Sequence, residues 1–450
     1  MSALWLSDCS VFTGGTLLGG DVLLSSVAID TRRCLKGSVY FAISGESFDG
    51  HQFVVDAVEK GAVAVVVEHD CGVDVPQLIV RNTRQTLADI AQLWRRQYSV
   101  QLVALTGSNG KTTVKEMIAS ILSQEGSVLA TKGNLNNDIG VPLTLFSLRE
   151  EHQFAVVELG ANAPGEIAGL AAIAEPQVVV VNNVGPAHLE GFGSLQGVAN
   201  SKGEIYEHLR EDGLALINAD EFAATEWAKR VLQGRVVQFS AQNRTGAEIQ
   251  GQLLEDQVLR VSYQDESRDI KISLLGQHNM RNALTAVSVA LVMGVSWGSI
   301  VTGLEKVKPV TGRLVEYDAA GVRVIDDSYN ANPGSVEAAL SLLANYQSSR
   351  WFVLGTMAEL GAQAEEMHAK AGRQAAALGI DRFACVGEHA VAARRGFGPK
   401  GLAFEKHDEL AAQLMAAVKP GDTVLVKGSR SAGMERVVQH LIENLGARSA

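Results

Sequence analysis

A lysine and two threonines, Lys111-Thr112-Thr113, directly follow the segment Thr106-Gly107-Ser108-Asn109-Gly110. An ammonium and a hydroxyl at the mouth of a glycine turn are the groups a polyphosphate needs. Lys111 offers full positive charge to β- and γ-phosphates, and the Thr112 hydroxyl can hold a magnesium ion. The flanks supply geometry. Residues 102–105, Leu-Val-Ala-Leu, read as a buried parallel strand. Val114, Met117, Ile118, Ile121 and Leu122 give the stretch after the threonines a helical period. Strand, turn and helix N-terminus then aim backbone N–H groups at one spot and favour anionic oxygens there. An ordinary strand-to-helix turn with an exposed lysine is the alternative, but it leaves the register of all these parts unexplained. One departure narrows the class: the general phosphate-loop pattern wants a glycine where Leu105 stands. The loop is a shortened G-x-x-G-K-T-T, which points to a smaller group of ATP users.

Other candidates stand at strand ends. Residues 154–160 form a buried-type strand that ends on Glu158, and residues 177–181 form another that leads through Asn182-Asn183 to His188. In open parallel sheets ligands sit beyond the C-terminal strand ends, which puts both side chains on the edge where the phosphate cradle opens. Glu158 can complete a magnesium site; taken alone it is a strand-end acid. His188 reads equally as a hydrogen-bonded turn histidine or a metal ligand. Lys202, at the start of an expected helix 201–210, reads as solvated surface. The run 131–142, which contains Asn137, is too long and polar for a simple connection and is a candidate functional loop. Asn279 and Asn282 open an apolar helix over 283–293, where they can recognise a base or simply cap the helix.

These residues need a scaffold of several units. At 450 residues, 46% of them hydrophobic, the chain is expected to build two to four domains with sizeable cores. The organisation expected is α/β throughout. A small N-terminal α/β domain occupies 1–80, a central phosphate-loop mononucleotide-binding α/β domain 81–311, and a Rossmann-like α/β domain 312–450, after a hinge at 309–312. In the first, the turn Asp30-Thr31-Arg32 and the loop from Gly45 and Glu46 to His51 can hold a phosphorylated ligand, or be surface loops. Short antiparallel strands are expected over 236–275, and a parallel sheet over 322–327, 351–355, 382–387 and 423–428. A formal charge of −11 argues against a general nucleic-acid binder. No apolar run is long enough for membrane insertion. Four scattered cysteines without metal-ligand spacing read as reduced thiols in a cytoplasmic protein.

Taken together, T-G-S-N-G-K-T-T, G-N-L-N-N-D-I-G-V-P, E-L-G-A-N, N-N-V-G-P-A-H-L, K-G-E-I, G-Q-H-N-x-x-N-A-L, G-R-L, D-D-S-Y-N-A-N-P and V-K-G-S-R resemble the Mur ligase family of ATP-dependent amide-bond-forming enzymes over essentially the whole chain. The run Asp326 to Pro333 is the most specific. It implies the branch whose substrates are UDP-N-acetylmuramoyl-tripeptide and D-alanyl-D-alanine; separately, a monomer is expected. The resemblance implies ATP and two Mg²⁺ ions as cofactors, with the loop Thr106 to Thr113 on the phosphates. It makes Thr112, Glu158 and His188 metal ligands, and Lys111, Lys202, Glu158 and His188 the catalytic set. It changes the reading of Lys202, which matches a lysine that family members carbamylate; a carbamate is a carboxylate-like anion able to hold a second cation. Asn279 and Asn282 would lie on the adenine side. Arg313, Asp327, Tyr329 and Asn330 would come from the third domain to the nucleotide, and closure would complete the site. Thr31, Arg32, Gly45, Glu46 and Asn137 would hold the UDP-linked substrate.

Overall fold

The computed structural model describes residues 4–45 and 48–447; Glu46 lies outside them. The described residues build three sheets, each covered by helices, and the chain is α/β in every unit as expected. In the first unit the strands run in the order Thr16–Leu18, Gln77–Ile79, Ala64–Val67, Val39–Phe41, Val27–Ala28. The helix Thr83–Arg96 carries the chain onward, and its buried face joins the first unit to the second in one core. Trp94 packs against Phe146, which also meets Phe41 of the first sheet.

The central sheet has nine strands, and the strand Gln101–Thr106 stands between Phe154–Glu158 and Val178–Val181, parallel to both. All but Gln101 of its residues are buried on both faces, which is what its unbroken apolar run demands. The register pairs Leu105 with Glu158 and Thr106 with Val181. Three chain segments therefore leave the sheet side by side at one edge. The run expected to be all antiparallel begins otherwise. The helix Ala224–Arg230 crosses over between Leu214–Asn218 and Arg235–Ser240, so those two strands pair in parallel. Only from Ile249–Leu253 does the chain meander. Asp256 and Gln257, both with φ near +55° to +60°, give the tight reversal into Val258–Tyr263 that a hairpin needs.

Two helices also differ from expectation. The helix placed over 201–210 is instead Leu195–Gly203, capped by Ser194, whose Oγ accepts from Gly197 N at 3.0 Å, followed by a 3₁₀ turn Glu204–His208. Lys202 thus ends a helix rather than opening one. It is buried rather than solvated, because its helix packs against the helices Glu166–Ala174 and Leu189–Phe192 and the turn Glu204–His208. The helix expected from 283 begins at Gln277, with Gly276 at its N-cap and no side-chain cap. Asn279 and Asn282 are therefore inside the helix, three residues apart on one buried face.

The third sheet runs Val315–Ala319, Val322–Asp327, Thr423–Lys427, Arg350–Leu354, Arg382–Val386, Leu402–Phe404. It is parallel apart from its first strand, an antiparallel edge made by the reversal at Ala320-Gly321. Two apolar clusters sandwich it.

Candidate active site

The turn between the strand Gln101–Thr106 and the helix Lys111–Leu122 is held by a lattice of amides. Asn109 N donates to Asn183 Oδ1 at 2.8 Å, and Asn183 Nδ2 returns a bond to Asn109 O at 3.0 Å. Ser108 Oγ donates to Gly185 O and accepts from Gly185 N. Gly110, at φ +76°, is the helix N-cap, and no side chain caps that helix. Its first N–H groups are left for an external acceptor, and an anion suits them best. Gly110 is also needed for room: a Cβ there would lie 2.4 Å from Asn282 Oδ1. Asn282 is itself fixed, donating to Asn279 Oδ1 at 3.0 Å and accepting from Asn182 Nδ2 at 2.9 Å. Asn182 is the hub of this lattice, bonded also to Asn109 O and Thr285 Oγ1.

Two cavities open from the turn. One, of about 340 Å³, is lined by Ser108 to Thr113, Asn279, Asn282, the linker 307–310 and the third unit's Asp327 and Lys427. The other, of about 830 Å³, runs along Asn136, Asn137, Glu158, His188 and Arg430. Lys111, Thr112, Arg313, Tyr329 and Asn330 line both. Lys111 Nζ donates to Gly107 O at 2.8 Å. Burial pulls its pKa below the usual lysine value, against the opposing pull of Glu158. Arg313 donates from Nη2 to Thr112 Oγ1 at 3.0 Å and lies over the Tyr329 ring at 4.5 Å, and its Nε is buried without an acceptor among the described residues. Asp327 faces Lys427 across paired strands at 2.6 Å. Burial raises the Asp327 pKa, and the Lys427 charge opposes that.

Glu158, 2% exposed, accepts from Asn136 Nδ2 at 2.8 Å through Oε1, while Oε2 is buried with no partner among the described residues. An orphaned carboxylate oxygen in a cavity that Thr112 also lines suits a hard cation. Among the described residues no three His, Cys, Asp or Glu converge on one point. His188, at φ +54°, contacts Glu359 of the third unit through Nδ1. Lys202 is 1% exposed, and no carboxylate among the described residues pairs with it. The Phe192 ring lies 6.0 Å from Lys202 Nζ and 6.4 Å from the His188 ring, edge to face. Burial, reinforced by the charge of Lys111, holds the Lys202 pKa well below the usual value.

Of the substrate candidates, Asn137 lines the larger cavity, with Oδ1 accepting from Gly140 N at 2.9 Å. Thr31, Arg32 and Gly45 line neither cavity; Arg32 is exposed and forks onto Asp30. Sequence reasoning named Asn109 in the phosphate loop, Asn136 in the polar run, Asn182-Asn183 beyond a strand and Lys427 at a strand end without foreseeing these contacts, and it passed over Glu359 altogether. Asn182-Asn183 beyond a buried strand was a readable signal for the first lattice. Glu359 had none, because its role depends on two units meeting.

Three family descriptions match the chain: Mur ligase family, catalytic domain, over 24–95; Mur ligase middle domain over 105–290; and Mur ligase, glutamate ligase domain, over 312–430. The chain is 42% identical over 453 residues to the UDP-N-acetylmuramoyl-tripeptide–D-alanyl-D-alanine ligase of Escherichia coli K12, covering 99% of each. It superposes on a crystal structure of MurF from Acinetobacter baumannii with TM-score 0.90 at 35% identity, covering 97% of this chain and 98% of that one. The MurF ligase of Thermotoga maritima in complex with ADP gives TM-score 0.83 at 29% identity, over 94% and 98%. With three consecutive family domains and a relative this similar from end to end, the chain belongs to the Mur ligase family.

Proposed function

We propose that the chain joins D-alanyl-D-alanine to UDP-N-acetylmuramoyl-tripeptide at the expense of ATP, the reaction named for its relatives. One observation carries the reading: two cavities of different size share the wall built by Lys111, Thr112 and Arg313. A nucleotide in the smaller cavity would present its γ-phosphate at that wall, and an anionic acceptor would reach it from the larger one. Asn279 and Asn282 would face the adenine. The first unit, 1–80, would hold the UDP end through Thr31, Arg32 and Gly45. The third, 312–450, would bring D-alanyl-D-alanine, with Asp327, Tyr329 and Asn330 closing on the nucleotide.

The γ-phosphoryl group passes to the terminal carboxylate of the tripeptide, giving an acyl phosphate and ADP. The dipeptide amine then attacks the acyl carbon, and the new amide forms as phosphate leaves and the amine releases its proton. Lys111 and Arg313 offset the repulsion between two anionic reactants. Thr112, Glu158 and His188 would hold one Mg²⁺, and a carbamate on Lys202 a second; these ions would supply charge neutralisation at the transferring oxygens. Burial without an acid partner supports the carbamate, because it favours the neutral amine that adds CO₂. The enzyme would work as a monomer in the cytoplasm. No helix among the described residues is long and apolar enough to cross a membrane.

Mass spectrometry of the product from ATP, UDP-muramoyl-tripeptide and D-alanyl-D-alanine tests this reading. A pentapeptide product and ADP release that depends on the dipeptide are expected. ATP turnover indifferent to the dipeptide would overturn it.

A further inference from the structure

After the strand Arg350–Leu354 the third unit sends a short loop back towards the central unit. The loop is fixed from behind. Gly355 N donates to Lys427 O at 2.8 Å, Ser429 donates to Thr356 O from both N and Oγ, and Met357 N donates to Nε2 of the buried His368 at 2.9 Å. Met357 and Leu360 are buried on either side. Glu359 turns the other way, at φ +60°, and its Oε2 meets His188 Nδ1. Among the described residues this is the one ion pair between the third unit and the central one. The Glu359 carboxylate also acts electrostatically on Lys111. It therefore stands within the field of the phosphate site although no nucleotide-binding element carries it.

We propose that Glu359 is a positioning residue: its carboxylate accepts a hydrogen bond from Nδ1–H of His188, fixes the ring, and would leave Nε2 free for the cation. An imidazole that binds a metal through one nitrogen commonly donates its other N–H to a carboxylate, which sets both tautomer and ring direction. What is particular here is the source of the carboxylate. It arrives from another unit on a loop held by those hydrogen bonds, so His188 is oriented only when the third unit is seated. The cation site is thereby made conditional on closure. The inference rests on the magnesium reading of His188 given above.

The test uses Mn²⁺ as the probe, bound to the full chain with ADP present and followed by electron paramagnetic resonance. Glu359→Ala should weaken Mn²⁺ binding by roughly 10- to 100-fold, the usual loss for a carboxylate behind a metal-binding histidine. Glu359→Gln, which still accepts the Nδ1 proton, should restore most of it. In a His188→Ala background Glu359→Ala should add less than twofold. Mn²⁺ affinity within twofold of the parent in Glu359→Ala would overturn the proposal, as would an undiminished loss in the His188→Ala background. A parent chain that binds no Mn²⁺ with nucleotide would instead sink the magnesium reading itself. The Glu359 side chain is about half exposed, so neither variant threatens the fold.

Discussion

Replacing Gly110 with alanine should injure the nucleotide loop by an amount the geometry sets. The backbone there sits at φ +76°, which costs an L-residue about 1 kcal/mol. The new Cβ would lie 2.4 Å from Asn282 Oδ1 and 2.9 Å from its Cγ, so Asn282 must swing away. It then gives up its bonds to Asn279 and Asn182, two buried hydrogen bonds worth about 1 kcal/mol each. The sum is about 3 kcal/mol. For a unit the size of the central one that corresponds to a fall of roughly 6 to 12 °C in its melting temperature. Calorimetry would follow the transition that added ADP shifts. The decisive measurement is a pair of backgrounds. Once Asn282→Ala has made room, Gly110→Ala should cost only its backbone share, about 1 kcal/mol, leaving about 2 kcal/mol of coupling. Equal losses with and without the Asn282 side chain would refute the steric account, as would a Gly110→Ala protein that melts with the parent.

Lys202→Ala should lower turnover at least about a hundredfold, and added short carboxylic acids should restore part of it; full activity of the bare variant would remove Lys202 from the mechanism. Arg313→Lys should raise the KM for ATP several-fold in steady-state kinetics, because a lysine cannot both stack on Tyr329 and reach Thr112 with a planar fork. Asp327→Ala should destabilise the third unit by roughly 3 kcal/mol in urea unfolding, since Lys427 is left buried without its carboxylate. His368 has a pKa lowered to about 4, chiefly by burial. The unfolded chain therefore binds the extra proton first, and stability is lost as pH falls from about 6.5 towards 4, by on the order of 3 kcal/mol. Unfolding curves across that range should show the loss, and His368→Gln should flatten it.

The strand, turn and helix of the candidate site were legible in the sequence because their parts are local. Glycine spacing, an apolar run and a helical period all lie between residues 102 and 122, and strand ends must share one edge of a parallel sheet. The sequence failed where the answer depended on remote packing. Lys202 read as surface because helix polarity alone does not reveal that the last turn is buried and lies beside Phe192. The two asparagines read as possible caps because their helix start is marked only by Gly276. Arg235–Ser240 read as antiparallel because the crossover helix before it is only Ala224–Arg230, too short to announce itself. Glu359 was invisible for a different reason: its partner is 171 positions away on a different unit.

Asn332 divides its labour between its own helix and the phosphate turn of the central unit. Its Oδ1 accepts from Ser335 N and so starts the helix Pro333–Ala344, while its Nδ2 donates to Asn109 Oδ1 at 2.8 Å in the phosphate turn. The tie across units can break without unravelling the helix behind it. One neutral hydrogen bond is worth about 1 kcal/mol, or about a fivefold change in population. A phosphate that accepts from Asn332 Nδ2 in place of Asn109 Oδ1 would thus act as a light trigger, releasing this tie between the units at almost no structural expense.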